Sequence, residues 1–130
     1  MIILDTCTLL WLVHDPERLT SPAREALRAT AGCRAVSAAS AWEIAIKSSA
    51  GKLRLPSAMT PAEWFLQACH EYGITELPVG AADFCRAVAL PPIHRDPCDR
   101  LIVATALAHH ARVVTADTTI PRYPGVTVVW

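Results

Sequence analysis

Met1-Ile2-Ile3-Leu4-Asp5 is a short apolar run that ends on a carboxylate, the pattern of a buried strand that delivers the chain to a polar rim. Working outward, four more brief runs rich in β-branched residues occur at Arg34–Ser37, Ile74–Val79, Arg112–Thr115 and Val126–Val129. Each is too short for a helix and suits a strand. The intervening segments carry apolar residues at helical spacing. Several open on an oxygen-bearing cap followed by proline at the first helical position: Asp15-Pro16, Ser21-Pro22, Thr60-Pro61-Ala62-Glu63 and Asp96-Pro97. There the missing proline N–H costs nothing. Gly51 and Gly73 stand where periodic segments end, as left-handed helix stops do. Short strands alternating with helices predict a three-layer α/β/α fold around a central, mostly parallel sheet of about five strands.

The chain has 130 residues, which suits one domain over 1–130 that buries roughly two-thirds of its unfolded surface. Hydrophobic residues make up 52% and charged residues 18%, so burial can offset the ordering entropy that keeps polar chains disordered. No internal repeat or Gly/Ser-rich linker divides it. The longest apolar stretch, around Leu101–Ala108, falls well short of the ~20 residues that span a bilayer. Asp5 stands too near the start for the apolar core of a secretory signal, and a cytoplasmic protein is expected. Lys+Arg and Asp+Glu number 12 each, a formal net charge of +0, which does not imply strong non-specific polyanion binding and leaves room for a local basic patch. The five cysteines are widely spaced, with no CxxC pair or zinc-type Cys/His spacing. Most of them read as small buried hydrophobes.

Ligands of parallel α/β sheets bind at the carboxyl ends of the strands. Asp5 follows the first strand and Asp117 follows Val113-Val114-Thr115-Ala116, while Glu43 and Asp99 fall in the opening turns of predicted helices. If the two strands are parallel neighbours, Asp5 and Asp117 converge on one rim, and Glu43 and Asp99 could face the same crevice. Clustered carboxylates repel and call for a cation among them. Oxygen-only ligands select a hard ion such as Mg²⁺ or Mn²⁺, which shares its remaining positions with phosphate. Phosphodiester hydrolysis of a nucleic acid is the chemistry this implies. Taken singly, each acid also has a local reading. Ser40-Ala41-Trp42-Glu43 spells a capping box, Asp99 stands three residues after a cap at Asp96, Asp5 could cap or form a turn, and Asp117 opens a polar Asp-Thr-Thr stretch. Lys47, one turn after Glu43, is either an i,i+4 partner or a phosphate contact, and Arg95 and Arg100 share that ambiguity. A Cys7/His14 nucleophilic pair is disfavoured, because Leu9, Leu10 and Val13 explain that helix face as core. Trp11, Trp42 and Trp64 suit packing.

Four blocks stand in order: Leu4-Asp5-Thr6-Cys7-Thr8-Leu9-Leu10-Trp11, Ser40-Ala41-Trp42-Glu43-Ile44-Ala45-Ile46-Lys47, His94-Arg95-Asp96-Pro97-Cys98-Asp99-Arg100-Leu101-Ile102-Val103-Ala104, and Val114-Thr115-Ala116-Asp117. Together they resemble, nearly end to end, the PIN-domain ribonucleases and specifically the VapC toxins of bacterial toxin–antitoxin pairs. Carried over by position, the family's four acids fall on Asp5, Glu43, Asp99 and Asp117. Asp99 is preferred to Asp96 because Leu101-Ile102-Val103-Ala104 matches the apolar and small residues that come after the family's third acid. The resemblance assigns Thr6, Thr115 and Asp96 supporting roles around the acids. Cys98 stands where that branch commonly has an aromatic, Cys7 where it has histidine and Ile120 where it has phenylalanine; none of these removes a carboxylate.

The resemblance implies an endoribonuclease using Mg²⁺ or Mn²⁺, in which water attacks the phosphorus in line to leave a 5′-phosphate and a 3′-hydroxyl. It implies a growth-inhibiting toxin held inactive by a cognate VapB-type antitoxin, usually homodimeric, with structured RNA such as tRNA or rRNA as target. Because the chain is neutral overall, RNA binding requires a local basic rim, for which Lys47, Lys52, Arg54 and Arg100 are the candidates. The competing reading is a non-catalytic binding module of the same fold, and four retained acids argue against it. A haloacid-dehalogenase-type phosphotransferase would need a second aspartate where Cys7 stands. A receiver domain would need adjacent acids at the end of the first strand.

Overall fold

The computed structural model describes residues 1–56 and 58–130. Its strands are β1 (Ile2–Leu4), β2 (Arg34–Ser37), β3 (Ile74–Leu77), β4 (Arg112–Val114) and β5 (Val128–Val129). The helices are α1 (Thr6–His14), α2 (Ser21–Ala29), α3 (Ala38–Ser49), α4 (Pro61–Tyr72), α5 (Ala81–Ala89) and α6 (Pro97–Ala108), with 3₁₀ turns at Pro16–Arg18 and Ile120–Arg122. The sheet runs in the order β3-β2-β1-β4-β5 and every pairing is parallel.

The first strand explains the layering. Ile2, Ile3 and Leu4 are all fully buried, and because strand side chains alternate they point to opposite faces. Ile2 and Leu4 join Val36 and Val114 beneath Leu9, Leu27, Trp64 and Phe65, from α1, α2 and α4. Ile3 joins Ala35 and Val113 beneath Ile102 and Ala106 of α6. One three-residue strand thus anchors both halves of the core, as expected for a sheet covered on both faces.

The predicted strands are all present; β2 keeps its predicted bounds and the others are trimmed at an end. The third stops at Leu77 and not at Val79, because Pro78 has no N–H for the ladder. Two predicted helix starts also shift. Asp15-Pro16 opens only a 3₁₀ turn, and Thr20 supplies the cap of α2, with its Oγ1 accepting the Ala23 N–H at 3.4 Å. The Thr60-Glu63 box forms as predicted: Glu63 Oε2 accepts the Thr60 N–H at 2.7 Å and Thr60 Oγ1 accepts the Glu63 N–H at 3.2 Å. Gly73 ends α4 at φ +59°, the left-handed cap its position suggested. α3 ends at Ser49 with Ala50 as its cap, which leaves Gly51 (φ +72°) just beyond. Among the described residues no helix is long and apolar enough to cross a membrane.

Candidate active site

Parallel register sets Leu4 beside Val114, so the residues that follow β1 and β4 emerge side by side. Asp5 caps α1, its Oδ1 accepting the Thr8 N–H at 2.6 Å. Its Oδ2 accepts the hydroxyl of Thr115, and Thr115 Oγ1 in turn accepts the Asp117 N–H at 2.9 Å. Asp5 is 5% exposed. That burial pushes its carboxyl above the ordinary range; the Thr115 and Thr8 hydrogen bonds oppose the rise and the nearby Glu43 adds to it.

Glu43 enters from α3. Ser37 caps that helix through the Ala39 N–H at 3.2 Å, so Ser40 lies inside the helix and the Ser40-Glu43 capping box does not form. Ser40 instead accepts a hydrogen bond from the Thr6 hydroxyl at 3.0 Å. Thr6 therefore ties α1 to α3 and does not bond a carboxylate, whereas Thr115 does. With capping removed, Glu43 points into the cleft. Its Oε1 pairs with Lys47 Nζ at 2.6 Å, and its Oε2 is buried without a hydrogen-bond partner among the described residues. Burial opposes the charge on Lys47, yet the bond to Glu43 leaves its ammonium above the usual range.

Asp99 lies in the first turn of α6, but Asp96 performs the capping by accepting the Cys98 N–H at 2.7 Å. Burial raises the Asp99 carboxyl to about 7; His94 works against that rise, and Asp96, Glu43 and Asp117 add to it. Asp117 behaves oppositely. Burial alone would raise it, but hydrogen bonds from His94 and from the Thr119 and Ile120 N–H groups hold it below the ordinary range. The backbone bonds to its Oδ1 are 2.5 and 3.1 Å.

Asp5, Glu43, Asp99 and Asp117 line one cleft of about 360 Å³, together with Asp96 and Lys47. The site suits a hard divalent ion on its donor chemistry. It gathers carboxylates from four elements, and it leaves a buried Glu43 oxygen without a donor. Cys7 also faces the cleft, with its thiol pushed up to about 11 chiefly by burial, so it is no thiolate nucleophile.

The PIN domain family model matches residues 2–126. The chain belongs to the PIN-domain family. Within it, this PIN domain is 35% identical to Ribonuclease VapC22 of Mycobacterium tuberculosis over 133 residues, 99% of this chain and 98% of that protein, which places it in the VapC group. In structure it is similar to a chain of VapBC2 from Rickettsia felis bound to a promoter DNA fragment, with a TM-score of 0.68, 17% identity, and 98% and 97% of the two chains covered. A toxin–antitoxin complex from Klebsiella pneumoniae gives a TM-score of 0.65 at 20% identity, covering 98% and 96%.

Not every sequence candidate meets the cleft of this PIN domain. Lys52 and Arg54 are exposed on the connection after α3 and do not line it. Arg100 requires a correction. Its guanidinium is spent on the backbone, with Nη2 donating to Ala87 O at 2.7 Å and Leu90 O at 2.9 Å and Nη1 donating to Pro91 O at 3.0 Å. It fastens the end of α5 to α6 and does not line the cleft. Sequence reasoning also passed over His94. Its Nε2 lies 2.9 Å from Asp117 Oδ2 and 3.2 Å from Asp99 Oδ2, and donor atoms of the three residues all fall within 4.8 Å. The available signal was a histidine two residues before the Asp96-Pro97 cap.

Proposed function

We propose that this chain is a divalent-metal-dependent endoribonuclease that acts as the toxin of a toxin–antitoxin pair. The observation that carries the reading is the convergence of Asp5, Glu43, Asp99 and Asp117 on one cleft, in a chain similar over nearly its whole length to a protein named as a ribonuclease. These four acids would hold Mg²⁺ or Mn²⁺. Such an ion supplies Lewis acidity at the scissile phosphate and makes water a competent nucleophile near neutral pH. The protein's own work is to keep the acids in place. Thr8 and Thr115 fix both oxygens of Asp5, the Thr119 and Ile120 N–H groups fix Asp117, and Lys47 puts one positive charge at the wall where a phosphate would arrive. Water attacks in line and the 3′-oxygen leaves, giving a 5′-phosphate and a 3′-hydroxyl, with tRNA or rRNA as the substrate class.

The partner in this reading is a VapB-type antitoxin that covers the cleft, in the cytoplasm where RNA and antitoxin meet. Purified, antitoxin-free protein incubated with total cellular RNA is expected to yield discrete fragments with Mg²⁺ or Mn²⁺ and none with chelator. An RNA pool left unchanged in every condition would overturn the nuclease assignment in favour of a binding module.

Self-association belongs to the same proposal. Trp42 is 50% exposed, Phe84 51% and Val88 81%. The three share one apolar groove between α3, α5 and α6, and single patches of this kind are characteristic of protein contacts. Sedimentation is expected to give a dimer for the wild type and a monomer for Val88→Asp, with the far-ultraviolet circular dichroism spectrum unchanged because Val88 packs little within its own chain. A monomeric wild type would remove the dimer.

A further inference from the structure

We infer that His94 is a positioning residue that sets the spacing of Asp99 and Asp117 before a cation arrives, an inference that rests on the metal-dependent reading above. The ring's tautomer is set by its neighbours. The Asp96 N–H points at His94 Nδ1 from 3.1 Å, so Nδ1 accepts and the proton resides on Nε2. Nε2 faces Asp117 Oδ2 at 2.9 Å and Asp99 Oδ2 at 3.2 Å. One N–H is therefore forked between two carboxylates that arrive from different elements, the first turn of α6 and the segment after β4. Without that shared donor, the two carboxyl groups, whose oxygens lie within 4.8 Å of each other, would repel whenever both are ionised. A carboxylate oxygen has two lone pairs, so the shared N–H leaves each acid capacity to bind a cation. A ligand role for Nε2 would move the proton to Nδ1, where it would meet the Asp96 N–H donor head-on.

His94 is itself held by the two segments whose acids it spaces. Its backbone N–H donates to the hydroxyl of Tyr123 at 2.8 Å, and Tyr123 is only 2% exposed. Tyr123 lies six positions beyond Asp117 on the same segment. The His94 carbonyl accepts Arg100 Nη1 at 3.3 Å, and the same nitrogen lies 3.3 Å from the Tyr123 hydroxyl. Arg100 directly follows Asp99 on α6. The connections close on themselves: Asp99 to Arg100, Arg100 to Tyr123 and to the His94 backbone, and the His94 ring back to both acids. This closed arrangement fixes the spacing of the two carboxylates that would hold a cation, and the Arg100 guanidinium is one of its fastenings.

The test is Mn²⁺ affinity, followed by the electron paramagnetic resonance signal of free Mn²⁺, together with thermal unfolding in chelator. Partners that only hold metal ligands contribute about 10–100-fold to affinity, and a loss of that size is expected for His94→Ala. His94→Gln places an amide N–H near the position of Nε2 and is expected to recover most of it. Tyr123→Phe keeps the buried ring but frees the His94 backbone, and is expected to weaken Mn²⁺ less than His94→Ala does. A merely structural role would make affinity track the unfolding midpoint and would give no rescue by glutamine; that result overturns the inference. So does a His94→Ala protein that binds Mn²⁺ as tightly as the wild type. Wild type that binds no Mn²⁺ would overturn the metal-dependent reading itself, which distinguishes the two failures.

Discussion

Asp5→Asn is expected to abolish RNA cleavage while leaving the unfolding midpoint close to that of the wild type. Asp5 has two tasks, and asparagine keeps only one of them. As the cap of α1 it accepts the Thr8 N–H at 2.6 Å, and asparagine ranks with aspartate at that position. Its second oxygen accepts the Thr115 hydroxyl. An amide nitrogen there would make Thr115 accept a second bond and strand its proton, at a cost of about 1 kcal/mol. Against that cost stands relief of a buried charge whose carboxyl lies above its ordinary range because of burial. The two effects offset, so the fold persists. What disappears is the negative charge and the oxygen not spent on Thr8. The loss should exceed the roughly 10–100-fold typical of residues that only support ligands. Fragment yield from an RNA pool, read beside thermal unfolding, checks both halves. Retained cleavage would remove Asp5 from the site. Asp5→Ala would lose the cap as well and unfold more easily, by about 1 kcal/mol.

The fold and the acids differ in how clearly the sequence announces them, and the difference is physical. Ile2-Ile3-Leu4 is legible because a strand buried on both faces must be apolar at every position. Once the strands are parallel, Asp5 and Asp117 must emerge on one rim. Glu43 was ambiguous because Ser40 stands three residues before it, and only the actual start of α3 at Ala38, capped by Ser37, removes the local role. Asp15-Pro16 carries a start signal but yields one 3₁₀ turn, since Thr20 begins the helix anew four residues after Pro16. Arg100 and His94 were hidden for a shared reason. Arg100 bonds backbone carbonyls, which every residue type possesses, and His94 is aimed at Asp99 only by a turn that also brings it to Asp117, 23 positions away. Neither contact leaves a mark in local composition or periodicity.

Asp99→Asn and Asp96→Asn should part company, and pH should explain why. Both carboxylates reach the cleft, but Asp96 is exposed and serves as the cap for Cys98, a task asparagine performs equally well. Its replacement is expected to leave most cleavage intact. Asp99 is held beside His94 with its carboxyl raised from 3.8 to about 7. Without metal, the folded state therefore holds this proton more tightly than the unfolded chain does. The stability it contributes is complete below the unfolded value and is lost as pH rises through about 7. In chelator at pH 8, Asp99→Asn should then be more stable than wild type, by on the order of 1–2 kcal/mol once solvent screening of a partly exposed group is allowed for. That advantage should fade toward pH 5. Metal binding has the opposite slope, because the cation must displace the same proton. Below pH 7 the Mn²⁺ dissociation constant of the wild type should weaken about tenfold per unit, while Asp99→Asn, already weak and inactive, should show no such slope from this position. If Asp96→Asn lost metal binding and Asp99→Asn kept it, the third acid of the site would be Asp96, and His94 would be positioning a carboxylate with no part in catalysis.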